Sequence, residues 1–221
     1  MNVVIFGATG MVGQGVLREC LLDGGVERVL AVGRRPTGRR HDKLRELVHE
    51  NLLDTSNIEG ELAGFDTCFF CLGVSSMGMS EEDYTRVTHD ITMAVAETLV
   101  RRNPGMTFVF VSGAGTDGTE CGGSMWARVK GRTENALLRL SFKSAYMFRP
   151  AFIQPMHGIV SRTATYRALY AVMGPLTPLL RALLPAHVTT TEKVGRAMLA
   201  VARRGASKVV LENRDINALA G

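Results

Sequence analysis

The chain has 221 residues, of which 46% are hydrophobic, so it is long enough to bury a sizeable core within one domain. A net charge of +5 and a pI near 9.3 would suit a nucleic-acid partner, but the basic residues are mostly scattered and no aromatic residues alternate with them, which argues against nucleic-acid binding. The four cysteines give no disulfide framework, and the first apolar run begins before a signal peptide could fit. We therefore expect a reducing, cytoplasmic location.

The first element is an apolar run at residues 3–6 that leads directly into the sequence G-A-T-G-M-V-G. Its β-branched and aromatic residues predict a buried strand, and the helical spacing of apolar residues at 11–23 predicts a helix. A strand, a glycine turn and a helix N-terminus in this order indicate a dinucleotide site, because unpaired backbone N–H groups and the positive end of the helix face the pyrophosphate. The residues expected to bind the cofactor here are Gly7, Ala8, Thr9, Gly10, Met11, Val12 and Gly13.

A second strand is predicted at residues 28–33, and Arg34 and Arg35 follow it directly. In NAD-binding proteins of this kind an acidic residue near this position holds the ribose 2′-hydroxyl, and no carboxylate stands here. Two guanidinium groups suit a 2′-phosphate, although a solvated basic loop is the simpler alternative. The sequence therefore predicts NADP(H) in preference to NAD(H).

The region after the second strand is expected to supply the adenine side of the cleft. Residues 41–48 predict a short helical turn that runs into a third strand around 47–52. Leu53 and Asp54 follow at the strand end, where Asp54 either accepts from the adenine amino group or forms a turn.

A continuous apolar run predicts a fourth strand at residues 67–72. Its Cys68 and Cys71 are three residues apart and so lie on opposite faces of a strand, which excludes both a disulfide and a shared metal ion. No metal site is predicted. The strand ends at the edge of the sheet where ligands bind in open α/β folds, and the candidate cofactor residues there are Leu72, Gly73 and Val74.

The next elements carry the candidate catalytic residues. Ser80 predicts the cap of a long helix that Asn103 ends, and a fifth strand at 107–111 leads to Ser112. A helix at 124–140 places Trp126 and Lys130 on one face, and a further strand at 145–149 ends at Pro150.

These motifs resemble the atypical short-chain dehydrogenase/reductases, and more specifically their HIV Tat-interactive-protein-like group. The matching stretches are G-A-T-G-x-x-G at the start, V-G-R-R at 32–35, C-L-G at 71–73, Y-T-R-V-T-H-D at 84–90, V-S-G-A-G at 111–115, V-K-G at 129–131, F-R-P at 148–150 and L-E-N at 211–213. The resemblance implies a Rossmann fold that binds NADPH. It also implies that Ser112 lies beside the reacting carbonyl and Lys130 on the nicotinamide ribose, and that the nicotinamide ring contacts Pro150, Phe152 and Ile153.

One departure from the family pattern bears on the mechanism. In this superfamily a tyrosine four residues before the lysine donates or accepts the proton, and this chain has Trp126 there. An indole N–H is not a usable acid or base near neutral pH. Three alternatives remain open: another acid such as Tyr84, Ser112 or a water; a reaction that needs only the serine; or a protein that binds the cofactor without turnover, as a sensor or scaffold.

The C-terminal part is expected to determine substrate specificity. The segment 168–180 is uncharged but is too short, and too interrupted by glycine and proline, to span a bilayer. It could form a lid, a homodimer contact or, least well, a membrane-surface contact. His89, His157 and His187 are expected to be structural, although His157 follows the pocket-side turn closely. A helix at 189–203 and a strand at 207–211 complete the chain.

Together these elements predict one doubly wound α/β domain, residues 1–221, with a mostly parallel sheet of about seven strands. Residues 1–150 form its core and 151–221 a substrate or lid region. The expected activity is that of an oxidoreductase or epimerase-type enzyme on a small carbonyl or sugar-nucleotide-like substrate.

Overall fold

The computed structural model of the protein describes residues 1–160 and 186–221. The strands are β1 (Asn2–Phe6), β2 (Arg28–Gly33), β3 (Leu44–Val48), β4 (Thr67–Phe70), β5 (Thr107–Val111), β6 (Ser144–Arg149), β7 (Phe152–Gln154), β8 (Val188–Thr190) and β9 (Val210–Glu212). The helices are α1 (Met11–Leu22), α2 (Glu81–Thr85), α3 (Ile91–Arg102), α4 (Met125–Leu138), α5 (Thr191–Arg204) and α6 (Asn213–Leu219), with a 3₁₀ helix at Ser56–Leu62 and a π-helical segment at Arg86–Asp90.

Seven parallel strands form the main sheet, in the order β3-β2-β1-β4-β5-β6-β9. Strands β7 and β8 pair in a separate parallel ribbon. The strand order reverses beside β1, which pairs with β2 on one side and β4 on the other. In open α/β sheets this reversal leaves a crevice at the carboxyl ends of the strands, where ligands bind. The predicted doubly wound fold and the strand number are confirmed.

The sheet separates two apolar cores, because alternate residues of each buried strand face opposite sides. Val3 and Ile5 pack with α1 and α5, whereas Val4 and Phe6 pack with α3 and the 3₁₀ helix. Cys68 belongs to the second core and Cys71 packs against the first, so the prediction that they lie on opposite faces is confirmed. Cys68 is buried, whereas Cys71 is partly exposed.

The third strand lies earlier than the sequence predicted. It runs from Leu44 to Val48 and pairs with β2, so neither a helical turn at 41–48 nor a strand at 47–52 is correct. The cause is its place at the edge of the sheet, where half-exposed residues give a weak alternation and Leu44 and Leu47 have helical spacing. The short strands β7 and β8 and helix α6 were not predicted.

The long helix from Ser80 to Asn103 is present, and it contains a wide turn. The Ser80 hydroxyl accepts from the Asp83 N–H at 3.0 Å, which confirms the predicted cap. The π-helical segment then separates α2 from α3 and coincides with the Y-T-R-V-T-H-D stretch. Within it Thr88 is buried, and its carbonyl accepts from the Thr92 hydroxyl at 2.5 Å.

Helices α1 and α5 cross at a point where neither has room for a side chain. A Cβ atom on Gly15 would lie 2.6 Å from Thr191 Cβ, and one on Gly195 would lie 2.7 Å from Glu19 Cγ. The Thr190 hydroxyl caps α5 by accepting from the Lys193 N–H at 3.0 Å. These contacts fix the C-terminal part of the chain against the first helix.

The segment 168–180 lies outside the described residues. Of the helices in residues 1–160 and 186–221, none is both long enough and apolar enough to cross a membrane.

Candidate nucleotide-binding and active site

The glycine loop after β1 is shaped by close backbone contacts. Gly7 has φ +82°, and a Cβ atom there would lie 2.7 Å from the carbonyl carbon of Cys71. A Cβ atom on Gly13 would lie 2.1 Å from the Gly7 carbonyl oxygen. Only glycine fits either position, because the loop passes against the end of β4 and the first turn of α1 packs directly on the loop.

The amino end of α1 is open to an anion. Gly10 caps the helix without a side-chain hydrogen bond, and its own N–H donates to the Gly7 carbonyl at 2.9 Å. The first turn of α1 carries no acidic residue. The free N–H groups of this turn and the positive end of the helix dipole therefore suit a phosphate group.

A cleft of about 570 Å³ adjoins this loop and extends to the ends of β2 and β4. Arg34 and Arg35 line it, and both are exposed. In the part of the chain that the structure describes, neither arginine forms an ion pair with a carboxylate. The complete lining is Gly7, Thr9, Gly33, Arg34, Arg35, Glu50, Leu52 and Leu72.

The loop that carries the two arginines is held by Glu46. Its carboxylate accepts from the Thr37 N–H at 2.5 Å, which attaches the loop to β3. Glu50, also missed by the sequence analysis, places a carboxylate in the same cleft as the arginines. The signal for Glu50 was an acidic residue just beyond the third strand.

The adenine-side residues take the following positions. Leu52 lines the cleft directly, and Leu53 beside it is half-buried. The Asp54 carboxylate accepts from the Ser56 N–H at 3.0 Å, and hydrogen bonding to Ser56 lowers the pKa of Asp54. Asp54 thus makes a turn, which was one of the two alternatives for it.

Lys130 lies at the carboxyl end of β5. Its Nζ donates to the Ser112 carbonyl at 2.8 Å and is 3.4 Å from the Val111 carbonyl oxygen. It also lies 5.6 Å from the centroid of the Phe110 ring, within cation–π range. Burial lowers the pKa of Lys130 to about 8, against the opposing effect of the Glu134 carboxylate.

The Ser112 side chain is buried and contacts groups of the protein. Its hydroxyl is hydrogen-bonded to the Glu134 carboxylate, and the Phe148 carbonyl oxygen is also within 3.1 Å. Because a hydroxyl carries one proton, both contacts compete for the same donor. Ser112 therefore contributes its carbonyl to Lys130 and its hydroxyl to Glu134.

Glu134 belongs to a buried charged cluster that the sequence analysis did not identify. It is 1% exposed, and its two oxygens lie 3.0 and 3.2 Å from Arg149 Nε. Arg149 also reaches Glu212 at 3.3 Å, and its hydrogen bond to Glu134 raises the pKa of the Arg149 guanidinium. The Asn213 side chain accepts from the Ala151 N–H at 3.0 Å. The signal was present in the F-R-P and L-E-N stretches, whose polar residues meet here.

Trp126 precedes Lys130 by one turn of α4, as predicted. Gly115, with φ +86°, lies against the indole, and a Cβ atom there would be 3.5 Å from Trp126 Cη2. The loop behind it packs on α4, where the Asp117 carbonyl oxygen would lie 1.7 Å from a Cβ atom on Gly131. The glycine of V-K-G therefore allows this loop to cross the helix.

The remaining predicted residues lie on neighbouring elements. Tyr84 is buried on α2, and Gly73 and Val74 are exposed beyond β4. Pro150 is buried at the end of β6, Phe152 is half-buried, and Ile153 pairs with Thr189.

Two of the three histidines that were expected to be structural contact carboxylates. His89 Nδ1 lies 2.9 Å from Asp90, and His157 Nε2 lies 2.7 Å from Glu192. The hydrogen bond from His157 lowers the pKa of Glu192. Over the described residues, no group of three or more histidine, cysteine, aspartate or glutamate side chains is placed to hold a metal ion.

Comparison with known proteins gives a family match and several relatives. The sequence model described as "NAD dependent epimerase/dehydratase family" matches residues 3–124. "Protein FMP52, mitochondrial" of Chaetomium globosum is 26% identical over 157 residues, 68% of this chain and 65% of that protein. "Protein HTATIP2" of Rattus norvegicus is 26% identical over 155 residues, 69% of this chain and 62% of that protein. The match thus spans slightly less than two thirds of the length of these relatives.

Solved structures share the fold at low sequence identity. MoeE5, solved with UDP-glucose and NAD, has a TM-score of 0.66 and 21% identity, with 96% of this chain and 75% of that chain covered. WbmF of Bordetella bronchiseptica, solved with NAD⁺, has a TM-score of 0.69 and 17% identity, with 98% and 76% covered.

Proposed function

Because the chain belongs to the NAD dependent epimerase/dehydratase family, we propose that it binds NADP(H) in the cleft beside Gly7 and acts as an oxidoreductase or epimerase-type enzyme. The substrate class is a small carbonyl compound or a sugar-nucleotide-like molecule. The matches to HTATIP2 and FMP52 proteins confirm the atypical short-chain dehydrogenase/reductase group that the sequence motifs indicated. The NAD bound in MoeE5 and WbmF supports a dinucleotide in the same crevice of this chain.

One observation carries the choice of NADP(H): two exposed guanidinium groups, which form no ion pair with a carboxylate of residues 1–160 or 186–221, line the cleft that the open end of α1 adjoins. The N–H groups of the first turn would hold the pyrophosphate, and Arg34 and Arg35 the 2′-phosphate. The remaining cofactor contacts that we propose are Leu53 and Asp54 with Leu72, Gly73 and Val74 on the adenosine side, and Lys130, Pro150, Phe152 and Ile153 on the nicotinamide side.

When bound, the nicotinamide would supply or accept a hydride at the carboxyl end of β5. Lys130 would lie beside the ribose there and hold a proton on Nζ. The family pattern gives Ser112 a place beside the reacting carbonyl, and its backbone carbonyl fixes Lys130.

A second candidate is a non-catalytic NADP(H)-binding sensor or interaction protein. Two observations favour it: an indole stands where the family has a tyrosine, and the Ser112 hydroxyl is hydrogen-bonded within the protein. A homodimer is compatible with either function.

We also propose a cytoplasmic location, on the basis of free thiols at all four cysteines. The FMP52 relatives carry a mitochondrial designation. Fractionation of cells that express the full-length protein is the test, and recovery in mitochondria would contradict the proposal.

The cofactor is tested by titrating the protein with NADPH, NADP⁺, NADH and NAD⁺ and measuring heat or nucleotide fluorescence. We expect NADPH to bind about 10- to 100-fold more tightly than NADH, since charge-assisted hydrogen bonds contribute about 1.5–3 kcal/mol each. The double variant R34A/R35A should lose this preference. The matched control R39A/R40A removes two exposed arginines of the same loop that do not line the cleft, and it should keep the preference. Absence of binding by all four nucleotides would overturn the proposed function.

Turnover separates the two candidates. A panel of aliphatic aldehydes, aromatic aldehydes and 1,2-diketones is added to the NADPH complex, and absorbance at the nicotinamide band is followed. Consumption of NADPH supports the enzyme, whereas binding without consumption, in the wild type and in W126Y alike, supports the sensor.

A further inference from the structure

We propose that Lys130 is the proton donor of this protein, in the role that the family pattern gives to the tyrosine four residues earlier. The inference rests on the proposed function and assigns its acid. It follows from what the side chains around the end of β5 can do.

Two neighbouring side chains do not suit the role. Trp126 has an N–H that can donate a hydrogen bond but does not release its proton near neutral pH. The Ser112 hydroxyl is directed to the Glu134 carboxylate and the Phe148 carbonyl, both inside the protein. A hydroxyl in that arrangement stabilises the cluster and has no second proton for a substrate.

Lys130 has a proton available. An ammonium group carries three N–H bonds, and the structure gives two acceptors for them, the carbonyls of Ser112 and Val111. The third N–H bond has no acceptor among the described residues. The same two contacts hold Nζ at the carboxyl end of β5, the edge of the sheet at which ligands of such folds bind.

The surroundings of Nζ favour release of that proton. Burial disfavours the ammonium form and lowers the pKa of Lys130 to about 8, close to the pH at which a general acid is most effective. The Glu134 carboxylate one turn along α4 opposes this effect. Its influence is limited because Arg149, which also pairs with Glu212, lies against Glu134. The apolar ring of Phe110 completes the environment.

In the reduction, the carbonyl carbon of the substrate gains a hydride from the bound nicotinamide, which is thereby oxidised. The electron pair of the C=O π bond takes a proton from Lys130 Nζ, so the product is an alcohol and Lys130 is left as a neutral amine. Water returns the proton to Nζ. In the reverse direction the neutral amine accepts the alcohol proton.

The first test does not depend on activity. Protein labelled with ¹³C at lysine Cε is titrated by NMR between pH 6 and 11, and the resonance that K130R lacks is assigned to Lys130. We expect it to titrate near pH 8. Titration above pH 10 would overturn the proposal.

The second test uses single-turnover reduction of the carbonyl panel by bound NADPH. The wild-type rate should fall as the pH rises past about 8, because the acid must be protonated. K130M should lose about 100-fold or more in rate with the NADPH dissociation constant changed less than 10-fold. K130R should also be slow, because a guanidinium does not release its proton. In the double variant K130M/W126Y, the new phenol should recover part of the rate. The rate of this variant should begin to fall at a higher pH than that of the wild type.

Besides a titration above pH 10, three kinetic outcomes would overturn the assignment of Lys130. One is a K130M variant whose single-turnover rate equals that of the wild type and still falls as the pH rises. Another is a Tyr84→Phe variant that loses both the single-turnover rate and its dependence on pH, which would make Tyr84 the acid. The third is a wild type that binds NADPH and reduces nothing in the panel. The absence of nucleotide binding would instead overturn the proposed function itself.

Discussion

The Ser112 hydroxyl and the Glu134 carboxylate are hydrogen-bonded to each other between the end of β5 and the middle of α4. The backbone carbonyl of the same serine accepts from Lys130 Nζ at 2.8 Å. Arg149 at the end of β6 completes the cluster through its ion pair with Glu134. Ser112 thus links the buried ion pair to Lys130, the candidate proton donor. Changes to Glu134 or Arg149 should therefore affect Lys130.

Replacing Glu134 by glutamine should destabilise the protein by about 3 kcal/mol, because it leaves the largely buried Arg149 charge without its main partner. Urea unfolding followed by circular dichroism measures the change. The control is Glu120→Gln, which removes a partly exposed partner of Arg132 at 3.6 Å and should cost less than about 1 kcal/mol. Equal, small effects from both variants would show that the Glu134 pair does not stabilise the fold.

Replacing Gly13 by alanine should abolish tight nucleotide binding, because a Cβ atom 2.1 Å from the Gly7 carbonyl forces the loop and the first turn of α1 apart. We expect the NADPH dissociation constant to rise at least about 10-fold, with a loss of stability of about 1–3 kcal/mol from overpacking. Fluorescence titration and urea unfolding measure the two effects. Gly24→Ala is the matched control, since no atom lies within 4 Å of its added Cβ. Unchanged NADPH binding by the Gly13 variant would contradict the loop assignment.

Replacing Glu46 by alanine should weaken NADPH binding about 5- to 10-fold while NADH binding changes little. The reason is that Glu46 fixes the Thr37 N–H and, through it, the loop that carries Arg34 and Arg35, and a lost hydrogen bond of this kind is worth about 1 kcal/mol. The comparison variant is Glu50→Gln, which removes a negative charge from the same cleft and should strengthen NADPH binding. Equal weakening of NADPH and NADH by Glu46→Ala would contradict a role in 2′-phosphate recognition.

The partly buried Lys130 side chain should make stability rise with pH on the alkaline side. Its pKa is about 8 in the folded protein and 10.5 as the ordinary value, so between these limits the unfolded chain binds more protons and alkali favours the folded state. The total gain is about 3 kcal/mol between pH 8 and 10.5. Urea unfolding at several pH values measures it, with Lys130→Met as the reference from which this contribution is absent. A wild type that loses stability relative to Lys130→Met over this range would contradict the effect of burial.

The elements that sequence alone predicted well are those with a strong local pattern. The apolar run before Gly7 and the continuous strand after Asp66 are buried on both faces, and their β-branched and aromatic residues are unmistakable. The elements that were misplaced or missed lack such a pattern. Strand β3 lies at a sheet edge, and β7 and β8 have three residues each, too few for a period of two to be recognised.

The candidate site likewise has one part that the sequence predicted and one part that it did not. The glycine loop is contiguous in sequence, so its geometry follows from the spacing of its residues. In the cluster around Glu134, Arg149 contacts residues that are 15 and 63 positions away in sequence. No local sequence pattern predicts such distant contacts. The sequence predicted that Ser112 lies at the end of a strand. The direction of its hydroxyl could not be predicted, because it is set by Glu134, which the packing of α4 on β5 brings near.

The glycine-to-glycine crossing of α1 and α5 has a mechanical consequence. With no side chain as a spacer, the helix that receives the phosphates and the helix near the end of the polypeptide must shift together or separate altogether. Occupation of the nucleotide cleft should therefore slow amide hydrogen exchange in α5, far along the chain from the glycine loop. A larger residue at Gly195 would uncouple the two helices before it touched any nucleotide contact.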